Sequence, residues 1–560
     1  MRRKHPVWLV STFLSLTLLA AACGGNDNKN SGQSTATTTS TATQKGGTVT
    51  LGWEQEPDCT DWIGSCGGST YGAWMGLRET LPRAYDFVEA GGKLTYKPSV
   101  LLTGEADLKT DPKEVVTYHI SPKAVWSDGQ PITSADFKYL WQQIATGADI
   151  YDTTGYSNIE SVNDSDPATA VVTFSTVFAD WKSLFGGGYG LLPSHLLQGK
   201  DRSAEVANGY KFSGGPWMIE SWNKGADLTL VPNPKYWGKK PNLDKVVFKF
   251  IPDTAAEFQA FKGGEVDAIA PQPQPDAIDQ IKSGLTGKKS KFQTDTVNLE
   301  AIWFNNAKAP FNDVKVCQAV SYAIDRDAVV NRLFGPLGVT KAMQTMVPLV
   351  AKPFATTAWS KYKRDTTKVD GLLTSAGYAK GSDGLYAKGG QKLTFEISTT
   401  TGNARRALTL QIIQDQLKQA GIGMTISTHK SGDLFGSILP KGDYQAGLYA
   451  NTLTALAAST CNQFCAKNIP TAPKFSGQNW SRANTPAAEA GLKALETDLD
   501  VAKEIAGNKQ AEPAMADAAV VLPLDPLPNV FLWSDKLVGP VSTNGVDGPL
   551  WNLEEWGVKA

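Results

Sequence analysis

The sequence predicts an α/β protein built from several domains, and three observations support this prediction. The chain has 560 residues, 41% of them hydrophobic and 19% charged, which is an ordinary globular composition. At roughly 150 residues per domain, this length allows about three to four domains. Segments with the period of a β-strand alternate with segments of helical period. Loops rich in Gly and Pro (53 and 31 residues in the whole chain) separate them, as is typical of α/β folds.

Each element is predicted from its period and its termination signals. Runs rich in β-branched and aromatic residues predict strands at 46–53, 115–120, 170–175, 228–232, 246–251, 301–306, 424–428 and 444–450. Apolar residues at helical spacing predict helices at 134–144, 254–264, 313–335 and 405–422. Ser134 and Asp253 are the predicted N-caps of the first two helices. Gly264, Gly335 and Gly421 are predicted to end the last three.

The first 45 residues predict a secretion signal and a flexible tether. A basic head at 2–4 precedes an uncharged apolar run at 8–22, which is too short for a permanent membrane span. The three alanines before Cys23 resemble a bacterial lipobox, although Ala20 stands where leucine is usual. We therefore expect lipidation of Cys23 and an extracytoplasmic, membrane-anchored protein; an ordinary cleaved signal is the alternative. Residues 24–45 have no aliphatic side chain larger than alanine, which predicts a tether.

The remaining five cysteines predict two local disulfides in an oxidising exterior. Cys59 and Cys66 lie seven residues apart, and Cys461 and Cys465 lie four apart. Cys317 is left over in a helical pattern, where a small thiol packs in the core. A zinc site at Cys461 and Cys465 is the alternative, but it needs two more ligands and no histidine lies nearby in sequence. No metal site is therefore predicted.

The sequence contains few of the residues and motifs that are typical of catalysis. There are four histidines, and the sequence contains no zinc-protease, serine-hydrolase elbow or P-loop motif. His119 and His195 are interpreted as hydrogen-bonded structural residues. Carboxylates are numerous, so a secreted hydrolase that uses an acid pair stays open. Arg405 and Arg406 could meet a carboxylate, although arginines at the start of a helix are more often solvated.

The charge balance argues against nucleic acid as a partner. Lys+Arg 54 minus Asp+Glu 55 gives a net charge of -1, and no stripe of basic residues occurs in the sequence. A protein of this balance lacks the positive surface that binds phosphate backbones.

Several ordered segments of the chain resemble one family. They are GGTVTLGWEQEPDCTDW at 46–62, VVTYHISPKAVWSDGQPITSADFKYLW at 115–141, the stretch at 213–268 that begins SGGPWMIESW, IWFNNAKAPFNDVKVCQAVSYAIDRDAVV at 302–330, SAGYAKGSDGLY at 375–386 and PLWNLEEW at 549–556. Together they are similar to the solute-binding proteins of ABC importers that capture oligopeptides, dipeptides, nickel chelates and some sugars. A lone Trp-Ser-Asp-Gly turn would be a weak signal, but six segments in order are specific.

The resemblance implies a periplasmic-binding-protein-like clamp of two lobes with an extra inserted domain. The implied ranges are a signal peptide at 1–22, a tether at 23–45, a first lobe at 46–90 plus 176–272 plus 520–560, an inserted domain at 91–175 and a second lobe at 273–519. The ligand is expected between the lobes, because clefts between domains are favoured binding places and closure sequesters a ligand from water.

The resemblance also implies the residues that line the cleft. They are Trp53, Glu56, Tyr151, Tyr156, Trp303, Asn305, Tyr449 and Asn451. Aromatic rings and amides suit a peptide-like or sugar-like ligand, and core packing is the alternative for each aromatic residue. Peptide binders of this family commonly place an Asp just after the strand at 444–450, but the sequence has no acid there. Either another carboxylate, such as Glu54 or Glu56, takes that role, or the ligand lacks a free amine.

The predicted function is the solute-binding component of an ABC importer, without catalysis or cofactor. It captures peptides or a peptide-like solute as a monomer and delivers it to a permease and its ATPase. A secreted hydrolase acting on peptides or glycans and a signalling receptor of the same fold are the alternatives.

Overall fold

The computed structural model describes residues 45–67, 75–76, 79–90, 93–147, 149–186, 190–452, 458–545 and 547–559. All of them fall in one compact unit that runs from Ala42 to Ala560. The predicted signal peptide, Cys23 and the tether up to residue 44 lie outside the described residues. Within the described ranges, no helix has the length and apolar character that a membrane span requires.

The strands are β1 (Thr48–Trp53), β2 (Tyr85–Ala90), β3 (Lys93–Pro98), β4 (Asp107–Lys109), β5 (Val115–His119), β6 (Ile159–Asp166), β7 (Thr169–Phe174), β8 (Trp217–Asn223), β9 (Asp227–Pro232), β10 (Lys245–Phe250), β11 (Ala268–Ile269), β12 (Lys288–Gln293), β13 (Asn298–Phe304), β14 (Ala379–Lys380), β15 (Tyr386–Lys388), β16 (Gln391–Lys392), β17 (Thr394–Thr400), β18 (Gly423–His429), β19 (Ala446–Thr452), β20 (Val521–Pro526), β21 (Asn529–Ser534), β22 (Leu537–Val538) and β23 (Gly557–Val558).

The α-helices are α1 (Ser134–Thr146), α2 (Ser194–Leu197), α3 (Arg202–Val206), α4 (Thr254–Gly263), α5 (Pro275–Lys282), α6 (Val314–Ala323), α7 (Arg326–Phe334), α8 (Thr366–Ser375), α9 (Ala404–Gln419), α10 (Ser431–Asp433), α11 (Leu439–Lys441), α12 (Ala458–Phe464), α13 (Pro486–Thr497) and α14 (Val501–Asp517). A π-helical turn at Leu434–Ile438 joins α10 to α11. Short 3₁₀ turns lie at Ser65–Gly67, Tyr156–Asn158, Trp181–Ser183, Gly335–Leu337, Leu349–Phe354, Ala358–Lys361, Ala466–Asn468 and Leu553–Glu555.

Two large sheets form the centres of the two lobes. The first-lobe sheet has the strand order β12-β21-β11-β1-β10-β9-β8, with β1 parallel to both of its neighbours. The second-lobe sheet has the order β18-β17-β19-β13-β20. In that sheet β13 is antiparallel to β19 and β20, and every residue of β13 is buried. Each sheet packs against its own hydrophobic core, as expected for an α/β fold.

A smaller antiparallel sheet of order β4-β5-β7-β6 lies inside the range predicted for the inserted domain. Half-buried and buried positions alternate along β5 and β7, as the sequence period predicts for strands whose two faces are covered unequally. Helix α1 packs on this sheet with Phe137, Leu140 and Ile144 fully buried.

Two chain segments cross between the sheets. Residues 294–297 lead from β12 to β13, and residues 527–528 lead from β20 to β21. The Thr296 hydroxyl donates to the Leu527 carbonyl at 2.8 Å, so the crossings are bonded side by side. By sheet membership β12 lies with the first lobe and β20 with the second, which places the crossings 22 residues (294 − 272) and 8 residues (527 − 519) beyond the predicted boundaries at 272 and 519. The exact lobe ranges stay a prediction.

Local capping corrects two predictions and confirms a third. The N-cap of α1 is Thr133, not Ser134, and its N–H donates to the Asp136 carboxylate at 2.9 Å. The single helix predicted at 313–335 is two helices, because the Asp325 side chain accepts from the Ala328 N–H and starts α7 afresh. The Asp253 carboxylate caps α4 as predicted, accepting from the backbone of residue 256 at 2.8 Å.

Candidate ligand-binding seam between the lobes

We call the surface where residues of the two lobes meet the seam, and an aromatic cluster lies on its second-lobe side. Trp303 of β13 stacks on Tyr449 of β19, with ring centroids 5.1 Å apart and an interplanar angle of 7°. Phe464 of α12 stacks on the same indole at 5.9 Å. Gly447 lies opposite Trp303 in the β-ladder, and a Cβ at this glycine would come within 2.8 Å of the Tyr449 ring. Glycine therefore permits the stack.

Tyr151, which lies in the range predicted for the inserted domain, reaches this cluster from the opposite side of the seam. Its N–H donates to the Ile63 carbonyl at 2.9 Å, which ties its loop to the segment that follows β1. Its ring meets Trp480 edge to face at 6.3 Å. Trp480 in turn contacts Phe435 and Tyr449, each at 6.0 Å. Tyr151 and Phe435 are half-buried, so the cluster keeps an accessible edge of aromatic surface.

Asp152 places a carboxylate in the seam next to the aromatic cluster. One oxygen accepts from the Asn462 amide at 2.9 Å and from the Gln478 amide at 3.3 Å, both from the second lobe. The other oxygen accepts from the N–H and hydroxyl of Thr154 at 3.0 and 2.7 Å. Burial raises the pKa of Asp152 above its ordinary value, against these hydrogen bonds. Sequence reasoning missed this residue, and its only signal was its position beside Tyr151.

Asn451 and the predicted disulfides frame the same region. The Asn451 amide donates to the Gln463 side chain at 2.8 Å, so the end of β19 is tied to α12. Cys461 is bonded to Cys465 in the structure, and Cys59 to Cys66, in the pairing that the spacing predicts.

Four other predicted cleft residues make internal contacts in the structure. Trp53 packs edge to face on Phe248 in the first-lobe core. The Tyr156 hydroxyl accepts from the Phe185 N–H at 2.7 Å, and the side chain is 2% exposed. Asn305 donates to the carbonyls of residues 442 and 444. Glu56 accepts from the Trp222 indole and the N–H of residue 225, both at 2.8 Å. Their roles in ligand binding stay predictions.

A second feature of the seam is a buried group of charged side chains, which we call the charge cluster. Its members are Glu54, Glu257, Glu300, Arg405, Arg406 and Asp525, all of them no more than 6% exposed. Glu300 accepts from Arg406 Nε at 2.7 Å and from Arg405 Nη2 at 3.2 Å. The expectation that these arginines are solvated is therefore wrong, because β13 places Glu300 beneath the start of α9.

Gln272 connects the charge cluster across the seam. Its N–H donates to Glu54 at 2.6 Å on the first-lobe side. Its side-chain oxygen accepts from Asn403 and, at 3.0 Å, from Arg405 on the second-lobe side. The side chain and backbone of one residue thus bond to both lobes.

The carboxyl pKa values in the charge cluster move in opposite directions. Burial raises the pKa of Glu54 to about 7, against the Gln272 hydrogen bond and the arginines. Burial likewise raises the pKa of Asp525 to about 7, against the attraction of Arg405. Burial by itself would raise the pKa of Glu300, but the attraction of the two arginines is stronger and lowers it. Burial and the Glu54 charge raise the pKa of Glu257 well above its ordinary value.

The histidines predicted to be structural lie outside the seam. His119 bonds to Asp107 at 2.9 Å and His195 to Asp128 at 2.7 Å, each pair solvent-accessible, so both form the expected hydrogen bonds. Cys317 is buried in the second-lobe core, as predicted, and burial raises the pKa of its thiol. Over the described ranges, no three His, Cys, Asp or Glu side chains are grouped so that they could hold a metal.

Comparison with known proteins gives the family. The family model described as "Bacterial extracellular solute-binding proteins, family 5 Middle" matches residues 101–518, which is well over half of the chain. The chain belongs to this family. The predicted family and the predicted two-lobed clamp are thereby confirmed.

Two relatives show what the chain is similar to in sequence. A "Probable ABC transporter-binding protein" of Deinococcus radiodurans is 28% identical over 385 residues, covering 61% of this chain and 64% of that protein. The "Oligopeptide-binding protein OppA" of Mycobacterium tuberculosis is 34% identical over 203 residues, covering 34% and 33%. The match therefore spans less than two thirds of the length of either relative.

Two solved structures superpose over nearly the whole chain. The "Periplasmic EDTA-binding protein EppA" gives a TM-score of 0.80 at 26% identity, covering 95% of this chain and 100% of that one. The oligopeptide-binding protein AppA of Bacillus subtilis, in complex with a nonapeptide, gives 0.79 at 20% identity, covering 93% and 100%. AppA shows the likeness of fold alone.

Proposed function

We propose that this protein is the extracytoplasmic solute-binding component of an ABC importer and that it captures a peptide or peptide-like solute between its lobes. Family membership supports the assignment to an ABC importer, and the aromatic cluster of the seam supports a peptide or peptide-like solute. The protein has no catalytic role in this proposal. Cys23 carries the lipid anchor, and the solute-loaded form docks on a permease driven by its ATPase.

The proposal of a peptide-like solute rests on the aromatic rings, amides and carboxylate that lie together at the seam. Tyr151 and Phe435 offer apolar faces, and the Asn451 and Gln463 amides offer donors and acceptors near them. Peptides present the complementary groups, because their backbone donates and accepts while their side chains bury apolar surface.

Asp152 is a candidate for the acid that peptide binders commonly place after the strand corresponding to β19, where this sequence has none. Of the two carboxylates expected to replace that acid, Glu54 is held in the charge cluster and Glu56 is bonded to the β8–β9 hairpin. Asp152 instead lies beside the aromatic cluster. In this proposal it receives a donor group of the solute, such as an amine, as the Asn462 and Gln478 amides move apart.

The test is to purify the chain from its native host, denature it and identify the released molecules by mass spectrometry. Recovered peptides or peptide-like molecules of constant composition support the proposal. A hydrolase would instead release cleaved products, and adding the recovered compound to fresh protein would deplete it. Quantitative turnover of that compound would overturn the proposal.

A matched pair of variants tests the site. Tyr151→Ala removes the ring that bridges the lobes, whereas Tyr378→Ala removes a half-buried ring from the second lobe away from the aromatic cluster. We expect retained solute to fall at least about tenfold in the first variant, since a well-packed aromatic anchor contributes at least about 1.4 kcal/mol, and to stay unchanged in the second. Equal retention in both would contradict the assignment of the seam.

A further inference from the structure

The charge cluster holds more buried acid than buried base. Its four carboxylates and two guanidinium groups would carry a net charge of -2 if every group were ionised. The guanidinium nitrogens that are bonded donate mainly to Glu300, with further bonds to Gln272 and Thr400. In the part of the chain that the structure describes, Nε and Nη1 of Arg405 have no hydrogen-bond partner. Within the described residues, neither oxygen of Glu257 and neither oxygen of Asp525 accepts a hydrogen bond.

An unbonded buried carboxylate is stable only when it is neutral. Transfer of a lone carboxylate from water to the interior costs several kcal/mol, and such a group binds a proton instead. The charge of Glu54 acts on Glu257 to raise its pKa, and Asp525 lies opposite Glu300 in the ladder between β13 and β20. The charge cluster thus reaches a low-energy state in this arrangement by binding protons.

The members of the charge cluster come from both lobes. Glu54 follows β1, and Glu257 lies on α4, which packs on the first-lobe sheet. Glu300 on β13, Asp525 on β20 and the two arginines of α9 belong to the second lobe. Gln272 bonds to both sides at this point. Separation of the lobes would break this bridge and admit water to the carboxylates.

We propose that closure of the lobes takes up protons at Glu257 and at Glu54 or Asp525, so that the closed, solute-holding state is favoured at low pH. This inference rests on the proposed function, because it requires that the lobes open and close around a solute. The protons come from the solvent and bind to carboxyl oxygens, and opening returns them to the solvent.

The raised carboxyl pKa values determine whether closure is favoured at low or at high pH. Burial raises the pKa of Glu54 and of Asp525 to about 7, and that of Glu257 further, whereas hydrated carboxylates have ordinary values of about 4. A group with a raised pKa in the closed state favours closure fully below its open-state pKa and loses that contribution as pH rises through its closed-state value. The loss therefore falls between about pH 4 and pH 7, and extends higher for Glu257.

The experiment measures the distance between the lobes in solution without added solute. Spin labels are attached to Lys235→Cys in the first lobe and Asp415→Cys in the second, both exposed, in the full chain carrying Cys23→Ser. Pulsed electron resonance then gives the closed fraction from pH 5.5 to pH 8.5. We expect the ratio of closed to open molecules to fall at least about tenfold between pH 6 and pH 8, because each proton taken up changes it by up to tenfold per pH unit.

Isosteric variants assign the effect to the charge cluster. Glu257→Gln with Asp525→Asn should flatten the pH dependence, whereas Glu512→Gln, at a buried acid that bonds inside the second lobe, should leave it unchanged. A flat wild-type profile would overturn the inference, and so would a variant profile as steep as that of the wild type. Failure of the proposed function would show separately, as an absence of released solute whatever the distances do with pH.

Discussion

Removal of the charge on Glu300 should destabilise the protein by an amount that depends on pH. This carboxylate is fully buried and bonds to two guanidinium groups at 2.7–3.3 Å. Glu300→Gln leaves Arg405 and Arg406 buried without their principal counter-ion, a change that costs about 3–5 kcal/mol. Glu54 and Asp525 can compensate by ionising, and their pKa values of about 7 set when they do so. We therefore expect Glu300→Gln to lower the free energy of unfolding by about 5 kcal/mol at pH 6 and by about 3 kcal/mol at pH 8.

The assay is urea unfolding followed by tryptophan fluorescence at both pH values. The control is Glu512→Gln, which neutralises an equally buried carboxylate whose partners are the neutral groups of Thr345, Met346 and Thr356. No cation is left unpaired there, so the loss should be about 1–2 kcal/mol at pH 6. Burial raises the pKa of Glu512 to about 7, so the wild type loses a stabilising proton toward pH 8 and the loss in the control should become smaller there. A smaller loss for Glu300→Gln than for the control, or a loss that does not decrease from pH 6 to pH 8, would refute the assignment of Glu300 as the counter-ion of both arginines.

Three further predictions address the remaining sites. Tyr156→Ala should lower the free energy of unfolding by about 3–5 kcal/mol and Tyr156→Phe by only about 1 kcal/mol, because the ring is buried and its hydroxyl accepts one hydrogen bond; urea titrations check this, and equal losses would contradict it. Asp152→Asn should reduce the solute recovered by mass spectrometry while Asp107→Asn, at an exposed acid, should not; equal recovery would exclude Asp152 from the site. Burial raises the pKa of Glu114 to about 7, so its stabilising proton is lost as pH rises from about 5 to 8; the unfolding free energy should fall over that range, and less steeply in Glu114→Gln.

Local signals in the sequence identified several main elements of this fold, but not β17, β20, β21, α13 or α14. Runs of β-branched and aromatic residues identified β5 and β7, and the short side chain of Asp253 identified the start of α4. The same reasoning missed the break before α7, because Asp325 lies within an unbroken apolar period and its capping bond is visible only once the backbone turns. Ordered motifs along the chain, compared with a known family, identified the two-lobed clamp.

The arrangement of the seam was decided by tertiary structure. Asp152 bonds to partners 310 and 326 residues away, and Arg406 bonds to Glu300 over a separation of 106. Tyr156 and Tyr151 are sequence neighbours of the same type, yet Tyr156 packs on Phe185 in the first-lobe core and Tyr151 contacts Trp480 across the seam. The sequence by itself determined the more strongly patterned strands and helices, because hydrophobic period and capping are local properties. Which polar side chains are buried together depended on how two separately formed sheets meet, and that is a property of the folded chain.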